Sequence, residues 1–241
     1  MSADPALLDL AAILPVYNEA GALPAVLDEW FAALDATRAN YELHAYDDGS
    51  RDESPAILEA KAAGRPRLVV HRQSNCGHGP TILRAYREQA ARARWLFQTD
   101  SDGELGPEAF AGCWAIREDF DLVIGGRSGR TQTRPRRAVS AVSQGAVRRL
   151  FGPGIRDPNA PYRLLRSAAF AACFRAIPDG AFAPNVLISG YAAARRLRIA
   201  EATVAHRPRR SGASSLNSGR LLRGAARALA ETIAWRFAMP R

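Results

Sequence analysis

Residues 95–104 read WLFQTDSDGE. The apolar run Trp95–Gln98 has the composition of a buried strand and stops at a polar turn in which Asp100 and Asp102 stand two residues apart. Carboxylates placed that way at a strand end bring oxygen ligands to Mg2+ or Mn2+, and a cation so held bridges a diphosphate. An EF-hand loop starting at Asp100 needs Gly in its sixth place and Glu in its twelfth, where the chain has Leu105 and Ala111. D-x-D is short, and an acidic turn closing a strand is the other reading of these residues.

The surrounding sequence repeats the pattern. Ala11–Tyr17, Tyr41–Tyr46, Leu68–His71 and Asp121–Ile124 read as further strands, and residues 22–36, 53–63, 80–93 and 107–117 have helical spacing. A βαβαβ series of this kind predicts an α/β fold, a mostly parallel central sheet with helices on both faces, whose ligands lie outside the C-terminal strand ends. The polar clusters fall there: Asn18 and Glu19, then Asp47–Ser50, Gly77–Pro80 and Asp100–Glu104. DDGS is by itself a turn-forming sequence. The absence of G-x-x-x-x-G-K, G-x-G-x-x-G and G-x-S-x-G disfavours a P-loop, a dinucleotide-binding turn and a nucleophile elbow.

Composition fits one folded unit, with 47% apolar and 24% charged residues in 241. No apolar run reaches the length of a membrane span and no basic leader opens the chain, so a cytoplasmic protein is expected. Three scattered cysteines point to a reducing compartment, and the four histidines lack zinc-site spacing, which leaves oxygen donors for any metal. The net charge of +9 is unevenly spread: residues 1–126 hold 11 Lys+Arg against 20 Asp+Glu, and residues 127–241 hold 22 against 4. A basic half suits phosphates or an anionic membrane surface. Lys61 is the only lysine, so codon bias is the other source of this arginine excess. No recognition helix or RNA-binding signature accompanies the charge, and no nucleic-acid partner is expected.

The order of the motifs is more specific than any one of them. PVYNE (15–19), YDDGSRD (46–52), NCGHGP (75–80), TDSDGE (99–104), GGR (125–127), DPNAPYRLLR (157–166) and HRPRRSGASSL (206–216) together resemble family 2 glycosyltransferases, most of all the polyprenyl-phosphate sugar transferases of the dolichol-phosphate mannose synthase group. The resemblance spans about residues 11–216 and implies the GT-A fold of nucleotide-diphospho-sugar transferases. It implies a donor pocket lined by Pro15, Tyr17 and Glu19, with Asp47 or Asp48 accepting a hydrogen bond from the base, and Asp100 and Asp102 serving Mg2+ or Mn2+. It assigns Arg127 and Arg163 to phosphates on the acceptor side, where a guanidinium fork suits phosphate oxygens. His206, Arg207, Arg209 and Arg210 match a basic segment that folds over the donor in relatives. The chain departs from the pattern at Tyr46, at Glu104 and at Asn185, where many relatives carry a carboxylate.

These readings give a glycosyltransferase domain over residues 1–218, with a donor half to about residue 126 and an acceptor half beyond it. The second half is expected to hold a helix at 138–150, a strand at Tyr162–Leu165, helices near 167–175 and 184–197, and a strand at Ile199–Ala205. A basic amphipathic helix closes the chain, within residues 219–241. Its row Leu222, Ala226, Leu229, Ile233 and Phe237 forms one apolar face, which packs on the protein's own core or a second subunit in one reading and lies on a membrane surface in the other, where Trp235 suits a headgroup boundary. The expected activity is metal-dependent, inverting sugar transfer from a nucleotide-diphospho-sugar to a polyprenyl phosphate, with peripheral contact at the inner membrane face; a soluble small-molecule hydroxyl is the other acceptor considered.

Overall fold

The computed structural model describes residues 7–128, 144–152, 155–208 and 218–240, and the side chains of 127, 128 and 218–222 lie outside that description. The apolar runs form β1 (Leu8–Val16), β2 (Tyr41–Asp47), β3 (Leu68–Arg72), β4 (Ala93–Gln98) and β5 (Leu122–Ser128). Between them run α1 (Leu23–Ala36), α2 (Ser54–Gly64), α3 (His78–Gln89) and the short α4 (Phe110–Ala115). Pro24 and Pro55 open α1 and α2 in the first turn, where a missing N–H costs nothing. Helix α1 buries Leu23, Val26, Leu27, Trp30, Phe31 and Leu34, the three-and-four spacing of one face.

The second half supplies α5 (residues 144–151), β6 (Arg163–Arg166), α6 (Ser167–Ala176), α7 (Pro184–Ala194), β7 (Ile199–Ala205) and α8 (Ser218–Ala238). The described strands form one sheet in the order β3-β2-β1-β4-β6-β5-β7. Strand β1 is parallel to both β2 and β4, and β6 enters antiparallel between β4 and β5. Alternation along β1 sends Leu10, Ala12, Leu14 and Val16 into one core with α1, and Ala11 and Ile13 into the other with α3, α6 and α7. Both faces are therefore covered, as a buried parallel sheet requires.

Helix α8 packs on α7 through a different row from the one the sequence singles out. Gly224, Ala228, Thr232 and Trp235 are buried, and a Cβ on Gly224 would stand 2.6 Å from the Phe182 ring. Trp235 is 2% exposed and its Nε1–H donates to Leu187 O at 2.9 Å. The expected place of Trp235 at a headgroup boundary is thus corrected: its indole fills the core. Ile233 and Phe237, 45% and 84% exposed, face outward on the apolar row.

Removing the indole should be costly. Trp235→Ala is expected to lower the free energy of urea unfolding by about 3–5 kcal/mol; a loss under about 1 kcal/mol, the scale of a surface substitution, would show that α8 does not dock on α7 in solution.

Candidate active site

Parallel register brings three loops to one rim. Val16 lies beside Asp47, and Ile13 beside Gln98, so the chain leaves β1, β2 and β4 at neighbouring points. Hydrogen bonds then join the loops. Asn18, at a φ of 54°, donates its N–H to Ser50 Oγ (3.0 Å) and accepts at Oδ1 from the Arg51 N–H (2.8 Å). Asp52 accepts from the N–H groups of Ala20 and Ser54, and Ser54 Oγ accepts from Glu19 N–H. Ser101 Oγ donates to Pro15 O at 2.8 Å. Of the expected donor-pocket residues, Tyr17 is 43% exposed at this rim and Glu19 is 7% exposed behind it.

Asp47 and Asp48 diverge in their surroundings. Asp47 Oδ1 accepts from Ser50 N–H (2.9 Å), the turn its sequence encodes. Asp48 is enclosed by residues 73–77: Oδ1 accepts from the Cys76 N–H (2.8 Å) and Gln73 Nε2 (2.7 Å), and Oδ2 from the Gly77 N–H (2.9 Å) and Asn75 Nδ2 (3.2 Å). Gly49 has a φ of 73°, and a Cβ there would lie 2.8 Å from Asn75 N, so the two loops close only around a glycine. Burial raises the Asp48 carboxyl, but donation from Cys76, Gln73 and Gly77 outweighs it and holds its pKa below the ordinary value. Of the two carboxylates expected to accept from the base, Asp48 fastens the loop after β3, and Asp47 is the one less enclosed by loop donors.

Asp100 and Asp102 lie just beyond β4. Asp100 Oδ1 is buried with no hydrogen-bond partner, and His78 Nε2, at the start of α3, stands 3.7 Å from it. Asp102 Oδ1 accepts from Glu104 N–H at 3.0 Å across a turn made by Gly103 at a φ of 73°. Among the described residues no group of three or more His, Cys, Asp or Glu forms a metal cage. Mg2+ asks less, since it is commonly held by one or two carboxylates with phosphates and water completing the shell. A buried carboxylate oxygen without a donor beside a second carboxylate fits a hard divalent cation.

Beneath Asp100 lies a buried polar chain that no local motif announces. Tyr86 OH donates to Gln98 Oε1 (2.7 Å), and Asn185 Nδ2 donates to the same oxygen (3.0 Å). Arg163 also belongs to this layer, which corrects its expected place facing an acceptor phosphate. It is wholly buried, and its guanidinium donates to the carbonyls of Pro158, Ala160 and Asn185. A buried guanidinium needs acceptors for its donors, and here three backbone oxygens take four hydrogen bonds from it.

The basic segment after β7 is likewise attached to the protein's own acids. His206 Nε2 lies 2.9 Å from Glu104 Oε2, and Arg207 pairs with Glu29 (2.7 Å) and Glu108. Arg207 is therefore placed on carboxylates and not on an open anion site. Arg127 continues β5 beside Val204, with its side chain outside the described residues, as are Arg209 and Arg210 altogether.

Residues 11–174 match the model of Glycosyl transferase family 2, and the chain belongs to that family. It is 31% identical over 205 residues to the undecaprenyl-phosphate 4-deoxy-4-formamido-L-arabinose transferase of Shewanella sediminis, covering 84% of this chain and 60% of that protein. The same transferase of Pseudomonas fluorescens is 30% identical over 213 residues, covering 87% and 61%. The chain thus spans about 60% of the length of these curated relatives. Glucosyl-3-phosphoglycerate synthase from Mycobacterium tuberculosis, solved with Mn2+, uridine diphosphate and glucosyl-3-phosphoglycerate, superposes with a TM-score of 0.69 at 17% identity, over 97% of this chain and 81% of that one. TarS residues 1–349 of S. aureus with uridine diphosphate gives 0.58 at 19% identity, over 82% and 60%. The fold is the GT-A fold.

The enclosure of Asp48 has a pH signature. Because its folded pKa lies below the unfolded value of about 3.9, its contribution is fully present above that pH and lost as pH falls through the folded value. Asp48→Asn should cost about 1–3 kcal/mol at pH 7 by urea unfolding, since its amide turns a donor toward N–H groups. The difference from wild type should shrink below about pH 4, and a gap that stays constant into acid would refute this role.

Proposed function

We propose that this chain transfers a sugar from a nucleotide-diphospho-sugar to a polyprenyl phosphate with the help of Mg2+ or Mn2+. The observation that carries the reading is the pair Asp100 and Asp102 at the C-terminal end of β4, with one buried carboxylate oxygen lacking a donor. Asp100 and Asp102 would hold the cation, which offsets negative charge on the departing diphosphate when bound. Tyr17 and Asp47 at the rim, with Glu19 behind them, receive the nucleoside. Support for a polyprenyl phosphate comes from the relatives, which are named for undecaprenyl phosphate.

The acceptor side offers the same reading from its chemistry. Asn185 opens α7 beneath Asp100, and its neutral amide cannot take a proton from an attacking hydroxyl. A phosphate acceptor carries its negative charge already at neutral pH and needs no base there. The protein's part is then to align the reacting atoms and shield them from water, with the acceptor oxygen attacking opposite the diphosphate so that configuration inverts.

Helix α8 supplies a surface for the lipid side. No helix among the described residues is long and apolar enough to cross a membrane. Ile233 and Phe237 nevertheless project outward beside Arg236, and residues 206–241 hold eight arginines against one glutamate. Each arginine close to an anionic surface contributes about 1 kcal/mol.

Two measurements test the reading. EDTA, or Asp102→Asn in a protein of unchanged melting temperature, should abolish transfer to a short-chain polyprenyl phosphate; transfer at full rate in chelator would overturn the metal assignment. The protein should co-sediment with anionic but not neutral vesicles and be released by salt. Ile233→Asp with Phe237→Asp should weaken that binding at least tenfold, roughly the cost of losing two exposed apolar contacts. Binding unchanged in this variant would remove α8 from the interface, and efficient transfer to a soluble hydroxyl alone would replace the lipid acceptor.

A further inference from the structure

The residues following β7 are tied to the Asp100–Asp102 turn through one residue. Glu104 donates its N–H to Asp102 Oδ1 (3.0 Å), accepts at its carbonyl from Arg207 N–H (2.8 Å), and meets His206 Nε2 with Oε2 (2.9 Å). Leu105 and His206 add an antiparallel bridge alongside. Arg207 in turn has a built seat. Its Nη1 donates to Glu29 of α1 at 2.7 Å, its Nη2 pairs with Glu108, and its guanidinium lies over Gly106, where a Cβ would collide with it and with the Glu108 carboxylate. Gly106 has a φ of −87° and a ψ of 173°, which any residue adopts. The missing side chain therefore serves the guanidinium and not the backbone.

We propose that Arg207 is a positioning residue for the metal turn: seated on Glu29, Glu108 and Gly106, it fixes Glu104, and through Glu104 it fixes the Asp102 carboxylate. This rests on reading Asp100 and Asp102 as the cation's ligands. It differs in kind from a phosphate-binding arginine, and the two roles respond oppositely when the glutamates are neutralised. An arginine that binds the donor is released by Glu29→Gln with Glu108→Gln and holds a diphosphate at least as well. An arginine that positions the turn loses its seat, and the outer contacts of metal ligands commonly govern affinity by 10–100-fold.

The experiment uses the full chain, with Gly106→Ala and the double variant Glu29→Gln/Glu108→Gln as independent disruptions. Hydrogen–deuterium exchange without metal or nucleotide should show peptides covering 100–108 and 206–207 exchanging roughly tenfold faster in both, with other regions unchanged. Titration of Mn2+ in the presence of UDP, GDP, CDP or dTDP should then show the half-saturating Mn2+ concentration raised roughly tenfold in both, at unchanged melting temperature. Unchanged exchange overturns the seat, and an unchanged or lowered Mn2+ requirement in the double variant overturns the positioning role in favour of direct phosphate binding. If the wild-type protein binds none of the nucleotides with Mn2+, the donor reading falls, and the exchange result alone then upholds or overturns the seat.

Discussion

The arrangement depends on β1 being flanked on both sides by parallel partners. The chain moves from β1 to β2 in one direction and reaches β4 on the other side, so the connections diverge at the β1–β4 boundary and leave a crevice outside the strand ends. Tyr17, Asp47 and Asp100 follow from that: Asp47 ends β2, Tyr17 comes directly after β1, and Asp100 stands two residues beyond β4. The loop hydrogen bonds among Asn18, Ser50, Asp52 and Ser54 then turn three separate chain exits into one surface. Without the common strand direction these residues would sit on opposite edges of the sheet.

The antiparallel entry of β6 extends the rim into the second half of the chain. Trp95 pairs with Arg166 and Gln98 with Arg163, so β6 starts where β4 ends. This places Arg163 below the Asp100 turn, where its guanidinium gathers the carbonyls of residues 158, 160 and 185. Residues 157–162 and the first turn of α7 are thereby held to the sheet. A charged side chain is buried for this purpose with four hydrogen bonds directed at three fixed backbone oxygens, a fork that lysine's single ammonium could not reproduce.

The strands and most helices were legible because burial on two faces forces continuous apolar runs, and Asp100 and Asp102 because the βα alternation says where a strand's polar end must point. The arginines were not. Arg163, Arg166 and Arg207 look alike in sequence, yet one meets carbonyls in the core, one meets Glu118 and Asp121 at the surface, and one spans Glu29 and Glu108. Their partners lie up to 178 residues away, which residue counting cannot see. Helix α8 failed for a related reason. Its outward row is the more apolar one, and the row that packs is Gly224, Ala228, Thr232 and Trp235. Small residues let α8 approach Phe182 closely and make room for one indole, so close fit decided the face where hydrophobicity pointed to the other.

The charge asymmetry of the chain acquires a physical meaning from these pairs. Arg166 and Arg198 from the basic half both meet Asp121 of the acidic half, and Arg207 meets Glu29 and Glu108. Such half-exposed ion pairs contribute little to stability one by one. Their effect is directional: they specify which edge of the acidic half the basic half lies against. Glu118, Asp121, Glu29 and Glu108 are thereby engaged with arginine, whereas Asp100 keeps a buried oxygen without a donor. That division separates four carboxylates that join the acidic half to the basic half from one whose Oδ1 is buried without a hydrogen-bond partner.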